Sequence, residues 1–134
     1  MNKVQERFID TMKKHHWNNE QMNGKQGKVP GPDDVLRPFL ELSDYVKSAK
    51  RSGLQRTEQC AYAGSILLDS LLEVTGRRFT YDVEEANDIF KAGRDLANEL
   101  WGRSGTDVSN SSDLKEMKDL ILNEYQRFRR RGGS

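Results

Sequence analysis

CAYAGSILLDSLLEV, residues 60–74, is the stretch that decides the fold. Read as a helix, its apolar side chains cover roughly half of the circumference, which is wider than the apolar stripe of a surface helix. The narrow polar strip consists of Ser65, Asp69 and Glu73. A helix this apolar must be covered by neighbours on several sides, and Ala61 and Gly64 would let one of them approach closely. The stretch therefore predicts the central helix of an all-α protein.

Amphipathic patterns flank this stretch on both sides. Apolar residues recur at three- and four-residue spacings within residues 3–17, 35–51, 82–103 and 112–130. Short connections between such helices favour antiparallel packing, so we expect a compact bundle of about five helices. Pro38 lacks a backbone donor, and the regular part of the second helix is predicted to begin near it. Trp17 points away from the apolar stripe of the first helix, which implies either a frayed helix end or an exposed indole.

The segment NGKQGKVPGPDD, residues 23–34, is predicted to be a loop. Its glycines and prolines break regular helices, and its lysines and aspartates are unsuited to burial. This one Gly/Pro-rich loop separates the first helix from the others. We therefore expect an N-terminal helix (1–22), a flexible loop (23–34), a helical core (35–130) and a flexible tail (131–134).

The composition excludes several classes of protein. The 134 residues suit a single domain, and a formal charge of +1 gives no strong overall field for nucleic acid or membranes. Cys60 is the only cysteine, so the chain can form no internal disulfide, and its place on the apolar arc indicates a small buried hydrophobe. No stretch approaches the ~18–20 apolar residues of a membrane span. We expect a cytoplasmic, reducing location, no membrane partner and no cofactor.

The C-terminal stretch YQRFRRRGGS, residues 125–134, is the best candidate for binding a polyanion. Guanidinium groups bind phosphate through two parallel hydrogen bonds, and an interleaved aromatic ring could stack on a base. The candidate nucleic-acid-binding residues are Arg77, Arg78, Arg127, Arg129, Arg130 and Arg131. The alternative is structural: Phe128 continues the apolar stripe of the last helix, and arginines at a helix end complement the helix dipole without any ligand.

Other patterns can be compared with known kinds of site. Residues 48–64 share the alanine, glycine and leucine positions of a helix-turn-helix, but the helix that follows is too apolar to read base edges. His16 and Glu20 have the spacing of two metal ligands on one helical face, with no third ligand in view. Three carboxylate pairs resemble, in spacing only, the magnesium-holding pairs of all-helical nucleotide pyrophosphatases. The pairs are Glu41 with Asp44, Asp69 with Glu73, and Glu85 with Asp88.

The sequence therefore predicts a small, non-enzymatic helical protein that binds another macromolecule. We favour a protein partner, which could be a second copy of the chain, and the candidate partner-binding residues are Trp17, Tyr62 and Ile66. Such a motif-poor chain would suit an accessory or inhibitor protein of a virus or mobile element. The alternatives are a nucleic-acid-binding protein that uses its basic C-terminal helix, and a magnesium-dependent nucleotide pyrophosphatase. No catalytic residue, metal site or cofactor is assigned.

Overall fold

The protein is an all-α bundle, as the sequence predicts. A computed structural model describes residues 2–17, 32–49, 53–75, 81–104 and 112–131, and within these ranges it contains five α-helices and no strand. The helices are α1 (Lys3–Met12, continued by a π-helical turn over Lys13–Trp17), α2 (Pro32–Ala49), α3 (Arg56–Thr75), α4 (Val83–Ser104) and α5 (Ser112–Arg130). Residues 23–31 of the predicted loop, and residues 132–134 of the predicted tail, lie outside the described ranges.

The apolar stretch of residues 60–74 makes up most of α3, which forms the centre of the bundle. α3 packs against α4 on one side and against α2 on the other. Gly64 permits the first of these contacts, because a Cβ atom at this position would lie 2.6 Å from the backbone oxygen of Phe90. Cys60, Leu67 and Leu71 are buried along the inner face of α3. The prediction of a small hydrophobic role for Cys60 is confirmed, and burial raises the pKa of its thiol.

α2 begins earlier than the sequence predicts, and Pro38 lies inside it. Pro32 occupies the first helical position, where a missing N–H costs nothing, so the helix includes the last three residues of the predicted loop. Pro38 has no N–H to donate to the carbonyl oxygen of Asp34, four residues earlier. The Nε2–H of His16 donates to that oxygen instead, at 3.2 Å. A hydrogen bond from another element therefore offsets the one that the proline removes.

The expectation of a frayed or exposed Trp17 is wrong. The chain continues from α1 into the π-helical turn, whose i→i+5 hydrogen bonding puts more residues in each turn and so changes the direction of the side chains that follow. His15, His16 and Trp17 are all buried as a result, and the indole is 0% exposed. Its ring packs edge-on against Tyr125, with centroids 5.2 Å apart, and tilted against Phe128 at 5.8 Å. Trp17 therefore packs the end of α1 and its π-helical turn against α5.

Polar contacts cap the start of α1 and hold this helix against α4. Asn2 caps the helix: its side chain accepts from the Gln5 N–H at 2.8 Å, and the Gln5 side chain accepts in return from the Asn2 N–H at 3.2 Å. Arg7 forms an ion pair with Asp95 of α4 at 3.2 Å.

In the part of the chain that the structure describes, no helix is both long enough and apolar enough to cross a membrane.

Candidate interaction surface

Three aromatic or apolar side chains with accessible surface lie along the seam between α2 and α3. The two helices run antiparallel, because Arg37 near the start of α2 donates to Glu73 near the end of α3 at 2.7 Å. Further along the seam, burial raises the pKa of the Tyr45 phenol, and Tyr62 and Cys60 are near enough to raise it further. Ile66 follows Tyr62 by one helical turn. We call Tyr45, Tyr62 and Ile66 the tyrosine surface.

Tyr62 is unusually open for an aromatic residue in the middle of a helix. Its side chain is 55% exposed, whereas Tyr45 and Ile66 are half-buried beside it. Among the described residues, the other large hydrophobic side chains with high exposure are Leu54 (38%) and Val83 (75%). Both lie at an element boundary, Leu54 before α3 and Val83 at the first position of α4. Tyr62 therefore combines high exposure with a rigid helical base.

Three exposed carboxylates flank the tyrosine surface along α2 and α3. Asp44, Glu58 and Asp69 are exposed, and none of them forms an ion pair within the described residues. Asp44 precedes Tyr45 in α2, and the other two lie four residues before Tyr62 and three residues after Ile66. We call Asp44, Glu58 and Asp69 the acidic rim.

No neighbouring cation forms an ion pair with the carboxylates of the acidic rim in the described residues. Arg37 binds two other carboxylates, Glu41 at 3.2 Å and Glu73 at 2.7 Å, and this pairing raises its pKa. Arg56 is directed toward α4, where it donates to the backbone oxygen of Asn98 at 2.6 Å. Lys47 is exposed and makes no ion pair with the rim. The surface over the seam is consequently acidic as well as aromatic.

The C-terminal arginines are only partly available to a ligand. Arg127 donates to Glu124 at 3.0 Å, and Glu124 also contacts Lys13 at 3.5 Å. Arg130 and Arg131 are exposed and without an ion pair in the described part of the chain. The half-buried Arg129 already interacts within the protein. Arg77 and Arg78 lie outside the described residues.

Phe128 belongs to the core and is closed to a nucleic-acid base. Its ring is buried between Trp17 and Tyr125, with centroids 5.8 Å and 6.4 Å away. Burial likewise raises the pKa of the Tyr125 phenol. An arginine patch at this helix end therefore has no aromatic stacking platform among these rings, and its affinity for nucleic acid would be electrostatic alone.

The two histidines have structural partners. His15 lies between two carboxylates of α4, with Nδ1 3.6 Å from Glu85 and Nε2 3.0 Å from Asp88. His16 is buried, and desolvation lowers its pKa to about 4, although the Asp34 carbonyl opposes this change. The proposed second ligand, Glu20, lies outside the described residues. Within the ranges that are described, no three potential metal-ligating side chains are arranged so that they could hold a metal ion.

The acidic pairs do not converge on one cleft. Glu41 and Glu73 share Arg37, and Glu85 and Asp88 face His15. Asp69 is exposed on the outer face of α3. α3 is also unsuited to be the recognition helix of a helix-turn-helix, because the outer face that would approach DNA phosphates carries carboxylates.

No known protein-family model matches the chain, and no curated protein sequence or solved structure shows significant similarity to it. The geometry of the tyrosine surface and its acidic rim therefore carries the functional argument. Tyr62 and Ile66 were singled out by the sequence, Asp44 and Asp69 were considered only as members of magnesium-holding pairs, and Tyr45 and Glu58 were missed. Their proximity depends on how α2 and α3 pair, which the pattern within a single helix does not contain.

Proposed function

We propose that this protein is a non-enzymatic helical binding protein that acts through contact of its tyrosine surface with another protein. The 55% exposure of Tyr62, on a helix whose opposite face is the centre of the core, carries this proposal. Tyrosine is enriched at the energetic centres of interfaces, since it offers a large contact area and a hydroxyl group while losing few torsional freedoms on binding.

The base of the surface is suited to recognition without rearrangement. Tyr62 stands on α3 between residues that are fixed against α4, including Gly64 and Cys60. Ile66 and Tyr45 are half-buried on the same side of the protein, whereas Tyr62 is 55% exposed and accessible to a partner. A preorganised aromatic anchor of this kind reduces the entropy lost on association.

The experiment first isolates a partner protein with the wild-type protein as bait. It then compares the affinity of that captured partner for wild-type protein, Tyr62→Ala and Ile66→Ala. We expect Tyr62→Ala to weaken binding by at least about 30-fold, which corresponds to the ~2 kcal/mol that defines an interface hot spot. Ile66→Ala should weaken it less, because that side chain is already half-buried. Val83→Ala is the matched control, since it truncates a 75% exposed apolar residue on another helix. Equal affinity for all four proteins would refute the proposal.

A second candidate function rests on the exposed, unpaired guanidinium groups of Arg130 and Arg131. Binding of single-stranded or duplex oligonucleotides would fall steeply with salt as counterions are released. The test substitutes both arginines with glutamine; ending the chain at Tyr125 is unsuitable, because it would remove Phe128 from the core. Salt-sensitive binding that the double substitution abolishes would support this second function, and its persistence would exclude these two residues.

A further inference from the structure

We propose that the partner docks on the tyrosine surface with a basic amphipathic segment, in which cationic side chains flank an apolar one. This inference rests on the proposed function and adds the chemistry of the partner to it. The segment belongs to a different protein and not to a second copy that presents the same surface. The charge distribution around Tyr62 and the spacing of the acidic rim along α3 support both statements.

The charge argument begins with the seam as a whole. Five carboxylates line it, and three cations lie nearby: Arg37 already serves two of the carboxylates, Arg56 is directed toward α4, and the exposed Lys47 forms no ion pair within the part of the chain that the structure describes. The three that remain are the acidic rim, and they have no cation of their own in the described residues. A purely apolar partner would remove these carboxylates from water without compensation, at a large desolvation cost. A partner that supplies ammonium or guanidinium groups offsets that cost.

The same charges exclude symmetric self-association through this surface. A twofold dimer places each surface against an identical one, so the rim of one copy would face the rim of the other. Like charges brought together in an interface oppose binding by several kcal/mol. A second copy of this surface is therefore a poor occupant, even though the aromatic centre alone would be self-complementary.

The rim also indicates the dimensions of the segment. Glu58 and Asp69 are eleven residues apart on α3, a distance of about 16 Å along the helix axis, and Tyr62 and Ile66 lie between them. A partner helix of about three turns covers this distance with apolar residues at its centre and cations toward its two ends. Asp44 widens the acidic border on the side of α2.

The test titrates the full chain with two synthetic peptides of about three helical turns each, one of leucine with lysine and one of leucine with glutamate. The test variant removes the charges of the acidic rim with the triple substitution Asp44→Asn, Glu58→Gln, Asp69→Asn. Its matched control is Glu84→Gln, Glu116→Gln, Asp119→Asn, which removes the same charge from exposed positions on α4 and α5. Amide chemical shifts locate the binding, and isothermal titration calorimetry measures the affinity at low and high salt.

We expect the lysine peptide to shift the amide resonances around Tyr62 and to bind less tightly as salt increases. Removal of the rim should weaken binding by about tenfold, since three exposed ion pairs contribute a fraction of a kcal/mol each. The control should change affinity by less than about twofold at the same ionic strength. The glutamate peptide should not bind. These results together would support a basic partner segment.

Three results would overturn the inference. Equal weakening by the rim and control substitutions would indicate attraction by overall charge. Shifts confined to another part of the molecule would place the peptide elsewhere. A dimer in sedimentation equilibrium that Tyr62→Ala dissociates would identify a second copy as the occupant. If the authentic partner is lost on Tyr62→Ala but retained by the rim substitution, only the charge inference fails; if both variants retain it, the proposed function fails too.

Discussion

Gly93 of α4 lies directly against Gly64 of α3: a Cβ atom at Gly93 would lie 3.2 Å from the Cα atom of Gly64 and 2.9 Å from the Cβ atom of Leu67. The two glycines allow α3 and α4 to approach at close range, and this contact fixes the inner face of α3. The outer face of the same helix carries Tyr62. A substitution that disturbs this contact would therefore disturb the helix that carries the proposed binding surface.

Replacement of Gly64 by alanine should destabilise the protein. The new methyl group would lie 2.6 Å from the Phe90 backbone oxygen, which is not the end of a flexible side chain and cannot easily move aside. We expect the free energy of unfolding to fall by about 2 kcal/mol, even though alanine favours helices by up to ~1 kcal/mol over glycine. Ser65→Ala on the exposed side is the control and should change stability by less than about 0.5 kcal/mol. Wild-type stability of Gly64→Ala in urea denaturation would disprove the close contact.

Replacement of Trp17 by alanine should act on stability and not on a partner surface. The fully buried indole contacts Tyr125 and Phe128, so its removal leaves a large cavity between α1 and α5. We expect a loss of about 3–5 kcal/mol in the free energy of unfolding, and a smaller loss for Trp17→Phe, which keeps a ring at this position. If Trp17→Ala unfolded at the wild-type denaturant concentration but lost a protein partner, the indole would have to be exposed in solution.

His16 should make stability depend on pH. Burial lowers its pKa from 6.5 to about 4, so between these values the unfolded chain binds a proton that the folded protein excludes. The contribution of neutral His16 is fully present above pH 6.5 and declines as the pH falls toward about 4, by about 3 kcal/mol in total. His16→Gln keeps an N–H for the Asp34 carbonyl but does not titrate. The variant should therefore lose less stability between pH 7 and pH 4.5 than the wild type, in a range set by the same two pKa values. Identical pH profiles would contradict the burial of the imidazole.

Substitution of Arg37 by glutamine tests the charge of the binding surface from the opposite direction. Glu41 and Glu73 would lose their shared cation, and the seam between α2 and α3 would become more acidic. We expect tighter binding of the lysine peptide, by about two- to fivefold, and a stability change below about 1 kcal/mol because the ion pairs are exposed. Calorimetry measures the first quantity and denaturation the second. Weaker peptide binding would show that Arg37 itself contacts the partner.

The sequence predicts the helices better than it predicts their surfaces. The wide apolar arc of residues 60–74 is sufficient to place α3 at the centre, because a helix that is apolar over half of its circumference has to be covered by neighbours on several sides. Val83 fits the apolar periodicity of α4 but is 75% exposed, since it stands at the first turn. Pro38 and Trp17 were misjudged for different reasons: His16 of another element bonds the Asp34 carbonyl oxygen that Pro38 leaves open, and a π-helical turn redirects Trp17. The roles of Tyr62 and Ile66 remain predictions.

The most direct test of the central claim replaces Tyr62 with the photoreactive residue p-benzoylphenylalanine and irradiates the protein in the presence of its captured partner. Val83, with 75% exposure on another helix, takes the same replacement in the control protein. We predict a covalent adduct to a basic segment of a different protein from position 62, reduced when Asp44, Glu58 and Asp69 are neutralised, and none from position 83. An adduct of equal yield from both positions, or from position 83 alone, would contradict a binding role for the tyrosine surface.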